Sequence, residues 1–119
     1  MPQYVDGFVL PVPRDKVDEY RAIATKAGEV WREYGALEYR ECIAEDVPVG
    51  ELTSFPRSVK AGEDETVVFA WITYESRGHR DEVNKKVMED PRMADMDPAD
   101  MPVDMKRLIY GGFEVMVEA

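Results

Sequence analysis

The chain has 119 residues, 45% of them hydrophobic and 34% charged, which excludes a disordered polymer and fits one folded domain over residues 1–119. Its formal net charge is −10, from 15 basic and 25 acidic residues, so a phosphate-binding surface is disfavoured beyond a local patch such as Lys106-Arg107. One cysteine, Cys42, permits no internal disulfide. With no leader-like N-terminus and no apolar run near the ~20 residues of a membrane helix, cytoplasm is the expected location.

Tyr4 to Val12 reads as a strand that Pro11 and Pro13 end, because proline donates no N–H to a ladder. Arg14 to Tyr34 reads as a long helix with Asp15 at its N-cap. Val17, Tyr20, Ala24, Ala27 and Trp31 recur at spacings of three and four and form its apolar stripe. Gly28 costs such a helix ~1 kcal/mol relative to alanine, which points to close packing there. Gly35 is the stop signal.

Ala36 to Ala44 reads as a second strand. Residues 45–65 form a long connection with Pro48, Gly50, Pro56 and Gly62, of a length that is unusual in a small domain. Thr66 to Glu75 is nearly continuous in β-branched and aromatic residues and predicts a third strand. Ser76 caps a second helix reaching about Glu89, with His79, Val83 and Val87 on one face. Pro91 to Asp104 reads as irregular. Arg107 to Val117 is the last strand, and Gly111-Gly112 within it marks a bulge or a close backbone approach.

The order is a twice-repeated strand–helix–strand unit, the ferredoxin-like βαββαβ pattern of the α+β class. It predicts an antiparallel four-stranded sheet with the first and third strands in the centre. Those two strands are apolar on both faces, whereas two helices cover only one. The uncovered face is expected to hold the bulkier set, Phe8, Phe69 and Trp71, with Glu38, Arg40, Cys42, Tyr110, Glu114 and Met116 from the outer strands. Val5, Gly7, Val9, Val68 and Ala70 are expected beneath the helices. An exposed apolar sheet face predicts pairing with a second copy as a homodimer.

The segments YVDGFVLPVP, GALEYREC, TSFPR, ETVVFAWITYESRGHRDEVNKKVMEDPRM and KRLIYGGFEV, in that order, resemble the YbaA-like family of uncharacterised bacterial proteins over nearly the whole chain. The resemblance implies a dimeric α+β barrel, in which two ferredoxin-like subunits pack sheet to sheet. That superfamily holds cofactor-free monooxygenases, haem-degrading enzymes, decarboxylases, isomerases and ligand-binding regulators, and fold does not select among them. No cofactor and no catalytic motif is implied for this chain.

His79, the sole histidine, is the first candidate for acid/base work; its structural alternative is a helix-start residue. Asp6 and Arg40, with Glu38 and Glu114, are expected to form a polar cluster on the inter-sheet face, either catalytic or a satisfied ion-pair lattice. Trp31, Trp71, Tyr74 and Tyr110 are candidates for lining a pocket for a small organic ligand, with core packing as the alternative. Arg57, in the long connection, is a candidate carboxylate clamp or a partner for an acidic neighbour. Cys42 near Arg40 is either a reactive thiolate or an inert free cysteine. Asp95, Asp97, Asp100 and Asp104 lack the glycine and closing glutamate of a calcium loop, and one histidine with one cysteine does not build a zinc site, so no metal is expected. Three functions follow: a cofactor-independent small-molecule enzyme, a non-catalytic ligand-binding or interaction module, and a purely structural homodimer. A cavity of several hundred Å³ reaching His79 or the Asp6–Arg40 group favours the first two, and a closed, fully packed interior favours the third.

Overall fold

The computed structural model describes residues 2–119, in which β1 occupies Tyr4–Pro13 and runs through both prolines rather than ending at them. The reason lies in its neighbours. β1 pairs on one side with β4 (Ile109–Glu114), and that ladder stops at the Val9–Ile109 pair. Beyond Val9 the strand has a free edge, where a missing N–H costs no ladder hydrogen bond.

A 3-10 turn, Arg14–Lys16, leads into α1 (Val17–Glu33). Asp15 lies inside that turn and is not the cap; Lys16 holds the position without a side-chain hydrogen bond. Asp18 and Glu19 in the first turn favour the helix dipole instead. Gly35, at φ +111°, ends the helix as expected, and the Ala36 N–H donates back to the Trp31 carbonyl at 3.0 Å.

β2 spans Glu38–Ile43. The long connection then folds a short helix, α2 (Phe55–Ser58), whose cap Ser54 accepts the Arg57 N–H at 3.1 Å. β3 covers Glu65–Tyr74. Ser76 caps α3 (Arg77–Glu89) as expected, its hydroxyl accepting the His79 N–H at 3.1 Å. Asp90 caps α4 (Pro91–Ala94). In the proline- and aspartate-rich segment that follows, Asp97 and Asp104 each cap a 3-10 turn, at Pro98–Asp100 and Met105–Arg107. Those carboxylates are thus occupied by backbone N–H groups. Among the described residues no helix is long and apolar enough to cross a membrane.

The sheet is antiparallel in the order β2-β3-β1-β4, with β1 and β3 central as expected of a ferredoxin-like α+β fold. Its register corrects the face assignment. Phe8 pairs with Ala70, and Leu10 with Val68, so these four share the helix-covered face. Phe69 and Trp71 pair with Val9 and Gly7 and stand on the opposite face. Phe8, Tyr110 and Glu114 therefore lie on the helix side, while Val5, Gly7 and Val9 lie on the other. On β3 the assignment by size holds, with Phe69 and Trp71 uncovered and Val68 and Ala70 beneath the helices; on β1 it fails, because size alone does not tell which of its two apolar sets shares a face with them.

Two clusters fill the helix side. Ile72, Tyr74, Val30, Val83 and Val87 form one, and Leu10, Val12, Val68, Ala70 and Val103 the other. A third cluster, Val9, Val59 and Val67, lies on the opposite face beneath the long connection. That connection covers only part of its face. Phe69 is 42% exposed and Phe113 63% exposed.

Candidate functional site

Ala24 and Ala27 put small side chains where α1 crosses the sheet, and a cavity of about 400 Å³ opens beneath them. Phe8, Leu10, Ala70 and Ile72 form its floor on the sheet. Tyr20, Ile23 and Trp31 descend from α1, so the apolar stripe of this helix faces the cavity. The remaining wall is Met88, Met93, Met96, Met101 and Met105, supplied by the end of α3 and the segment after it. Methionine is unbranched and polarizable, so such a wall adapts to shape.

One acidic side chain enters this apolar space. Glu41 follows Tyr39 by two on β2 and so shares its face. The Tyr20 hydroxyl donates to Glu41 Oε1, and the Tyr39 hydroxyl donates to Glu41 Oε2 at 2.5 Å. Burial first, and then the Glu41 charge, push both phenol pKa values well above the usual tyrosine range, so both stay protonated donors. Gly28 makes this arrangement possible. A Cβ there would stand 2.8 Å from the Tyr39 ring, which is the close packing anticipated at that glycine. A second groove, about 510 Å³, opens on the other flank of α1 and shares Tyr20, Tyr39 and Glu41 with the first.

The structure disperses the expected polar cluster. Asp6 is buried on the helix side, where Arg80 Nη1 donates to its Oδ1 at 2.6 Å. Arg40 borders the cavity between Tyr39 and Glu41, but its side chain is exposed, stands on the opposite face with Nε 3.3 Å from Glu38, and does not meet Asp6. The Trp71 indole N–H donates to Glu38 at 2.5 Å on that same open face, so Trp71 does not line the cavity. The Trp71 hydrogen bond and then Arg40 lower the Glu38 pKa. Glu114 lies with Asp6 on the helix side, across Tyr4 on β4.

His79 serves the start of α3. Its Nδ1 accepts the Glu75 backbone N–H at 3.0 Å, and its ring meets Tyr74 edge-on at 6.0 Å. Neither His79 nor Asp6 lines the cavity. Tyr74 is fully buried, and burial, then the Asp6 charge, raise its pKa. Its hydroxyl and the Trp31 indole N–H converge on Asn84 Oδ1, at 3.3 and 3.1 Å. Trp31 is thus the one predicted ligand-binding aromatic at the cavity wall. Tyr110 is 75% exposed and stacks on Phe8 outside it. Arg57 donates to the Val49 and Gly50 carbonyls and holds its own loop. Cys42 is exposed on the open face.

Glu41, Tyr20, Tyr39 and the methionines escaped the sequence reading. The available signal was a glutamate on a strand face that otherwise reads Tyr39 and Ile43.

Residues 3–105 match the family model described as a protein of unknown function, DUF1428. The uncharacterized protein YbaA of Escherichia coli K12 is 53% identical over 116 residues, covering 98% of both chains. The protein of the same description from Shigella flexneri matches to the same extent. Among solved structures, an uncharacterized NIPSNAP domain protein from Burkholderia xenovorans superposes with a TM-score of 0.60 at 20% identity, over 98% of this chain and 94% of that one. A dimeric ferredoxin-like protein from an uncultured marine organism gives 0.58 at 12% identity over the full length of both. At those identities the likeness is one of fold.

Proposed function

The chain belongs to the DUF1428 family, and from that premise we propose that it binds a small, largely apolar organic molecule in the cavity beneath α1. One observation carries this reading: an apolar space of about 400 Å³ that ends on a carboxylate. Small-molecule sites have this size and this pairing of apolar walls with few polar groups. The neutral probe N-phenylnaphthylamine should gain fluorescence on titration into the protein. An Ala24→Trp substitution, which fills the cavity, should abolish that gain while cooperative unfolding is retained. A wild-type protein that leaves the probe dark refutes the reading.

A cofactor-independent enzyme is the second reading, favoured by the two protonated phenols on the Glu41 carboxylate, a set of groups able to move a proton. A thermal-shift screen of metabolites followed by turnover assays separates the two. A hit consumed on incubation supports the enzyme; a hit recovered intact supports the binder.

The opposite sheet face supports a homodimer. Phe69, Trp71, Ile109 and Phe113 present apolar surface there, and the Phe113 ring lies over Gly7 and Gly111. A neighbour of the same fold is described as dimeric. Light scattering should give twice the 13.6 kDa chain mass, and Phe113→Glu should restore the single-chain mass. A wild-type monomer at micromolar concentration refutes the pairing. The lone cysteine is consistent with a cytoplasmic location.

A further inference from the structure

We infer that the cavity selects amphipathic cations, molecules with an apolar body and one protonated amine, and that Glu41 is the group that pairs the amine. The inference rests on the ligand-binding reading above and adds the charge of the ligand. Its starting point is a difference among carboxylates. Asp6, Glu65 and Asp90 are each buried to within 10% side-chain exposure, and each lies within 3 Å of an arginine: Arg80, Arg107 and Arg92. The fold thus supplies a cation wherever it buries a carboxylate deeply. Glu41 lines a largely apolar cavity; its sequence neighbour Arg40 borders the same cavity but pairs with Glu38 on the other face, and among the described residues no cation comes within 4 Å of Glu41.

Its partners are phenols. Tyr20 occupies one oxygen and Tyr39 the other, which fixes the carboxylate plane and leaves a further lone pair on each oxygen. Neutral donors orient the charge without cancelling it. A carboxylate among apolar groups gains most from a cation that also donates hydrogen bonds. The nearby side chains favour the same ligand. Trp31 and Tyr39 stand 6.0 Å apart between ring centroids, and aromatic faces attract ammonium groups. A net charge of −10 raises the local concentration of cations around the chain. The five methionines set the other half of the specificity. A wall of flexible thioethers accommodates apolar bodies of different shape, so the site is strict about the head and permissive about the tail.

The test is calorimetric titration of the full chain with three ligands of one shape: phenylbutylamine, phenylbutanol and phenylbutyrate. At neutral pH the amine should bind at least about tenfold more tightly than the alcohol, the increment of a charge-assisted hydrogen bond, and the acid more weakly than either. Raising the salt should narrow the gap between amine and alcohol. In Glu41→Gln the amine should fall to the affinity of the alcohol. The wild-type amine-to-alcohol ratio stands as a test whether or not that variant folds. An amine that binds no better than the alcohol, or an acid that binds best, overturns the inference while N-phenylnaphthylamine binding keeps the ligand reading intact. If that probe and all three ligands fail to bind, the ligand reading itself is lost and the inference with it.

Discussion

Asp6 on β1 and Glu41 on β2 both project to the helix-covered face of the sheet, but Arg80 closes on Asp6 at 2.6 Å and Glu41 receives only two phenols. The packing around them differs in the same way. On the α3 half, Val83 and Val87 drive branched, fully buried side chains onto Ile72 and Tyr74. On the α1 half, Ala24 and Ala27 stop short of the floor, and the methionines line the gap that remains. One half of the face is a packed core whose carboxylate meets an arginine; the other holds a cavity whose carboxylate meets only neutral donors. A carboxylate on a sheet face is therefore not a functional signal by itself. Its partner decides.

The largest effect should come from removing that partner. Arg80→Ala leaves Asp6 charged and buried, and should cost about 3 kcal/mol in denaturant unfolding. Little or no loss would place the two carboxylates in the same category and break the contrast. Gly28→Ala should act on the other half. The added methyl displaces the Tyr39 ring, and the strain of about 2 kcal/mol exceeds the roughly 1 kcal/mol that alanine returns to the helix, for a net loss of about 1 kcal/mol. A more stable variant would mean that Tyr39 yields freely and does not fix Glu41.

Asp90 sharpens the comparison through pH. The Arg92 hydrogen bond, then the Tyr34 hydroxyl and the Arg92 backbone N–H, hold its carboxyl well below the usual carboxylate range. A depressed folded-state pKa stabilises fully above the unfolded value of about 3.9, and that stabilisation is lost as pH falls from there through the folded value. Wild type should therefore melt above Asp90→Asn at neutral pH, and the difference should shrink between about pH 4 and pH 2.5. A difference that stays constant over that interval would detach the ion pair from stability. The smallest effect is expected at Glu41→Gln. With no cation to strand, its unfolding free energy should stay within about 1 kcal/mol of wild type. A loss comparable to that of Arg80→Ala would make Glu41 a structural group.

Much of the fold was legible. The unbroken β-branched and aromatic run at 66–74, the stripe at Tyr20, Ala24, Ala27 and Trp31, the Ser76 cap and the Gly35 stop all follow from local chemistry, and each stands as read. Gly28 was legible too, because a glycine inside a helix is costly unless something packs against it. The site was far less so. Tyr20 and Glu41 lie 21 residues apart, and no local pattern announces that a phenol on a helix will reach a carboxylate on a strand. The methionine wall comes from a segment without strand or long-helix periodicity, so its facing could not be read from spacing.

By itself, then, the sequence determined the elements, their order and the central place of the first and third strands, since these depend on side-chain periodicity and turn chemistry along the chain. It also determined that the central strands would be apolar on both faces. Only the tertiary structure decided which face each residue took. A strand's alternation defines two sets of residues but not their sides, and it was the pairing of Phe8 with Ala70 that put Phe8 beneath the helices and left Gly7 and Val9 with Trp71 and Phe69 on the other face. The same register turned Asp6 toward Arg80 and Glu41 toward two phenols, and so separated a carboxylate paired with a cation from one held by neutral donors alone.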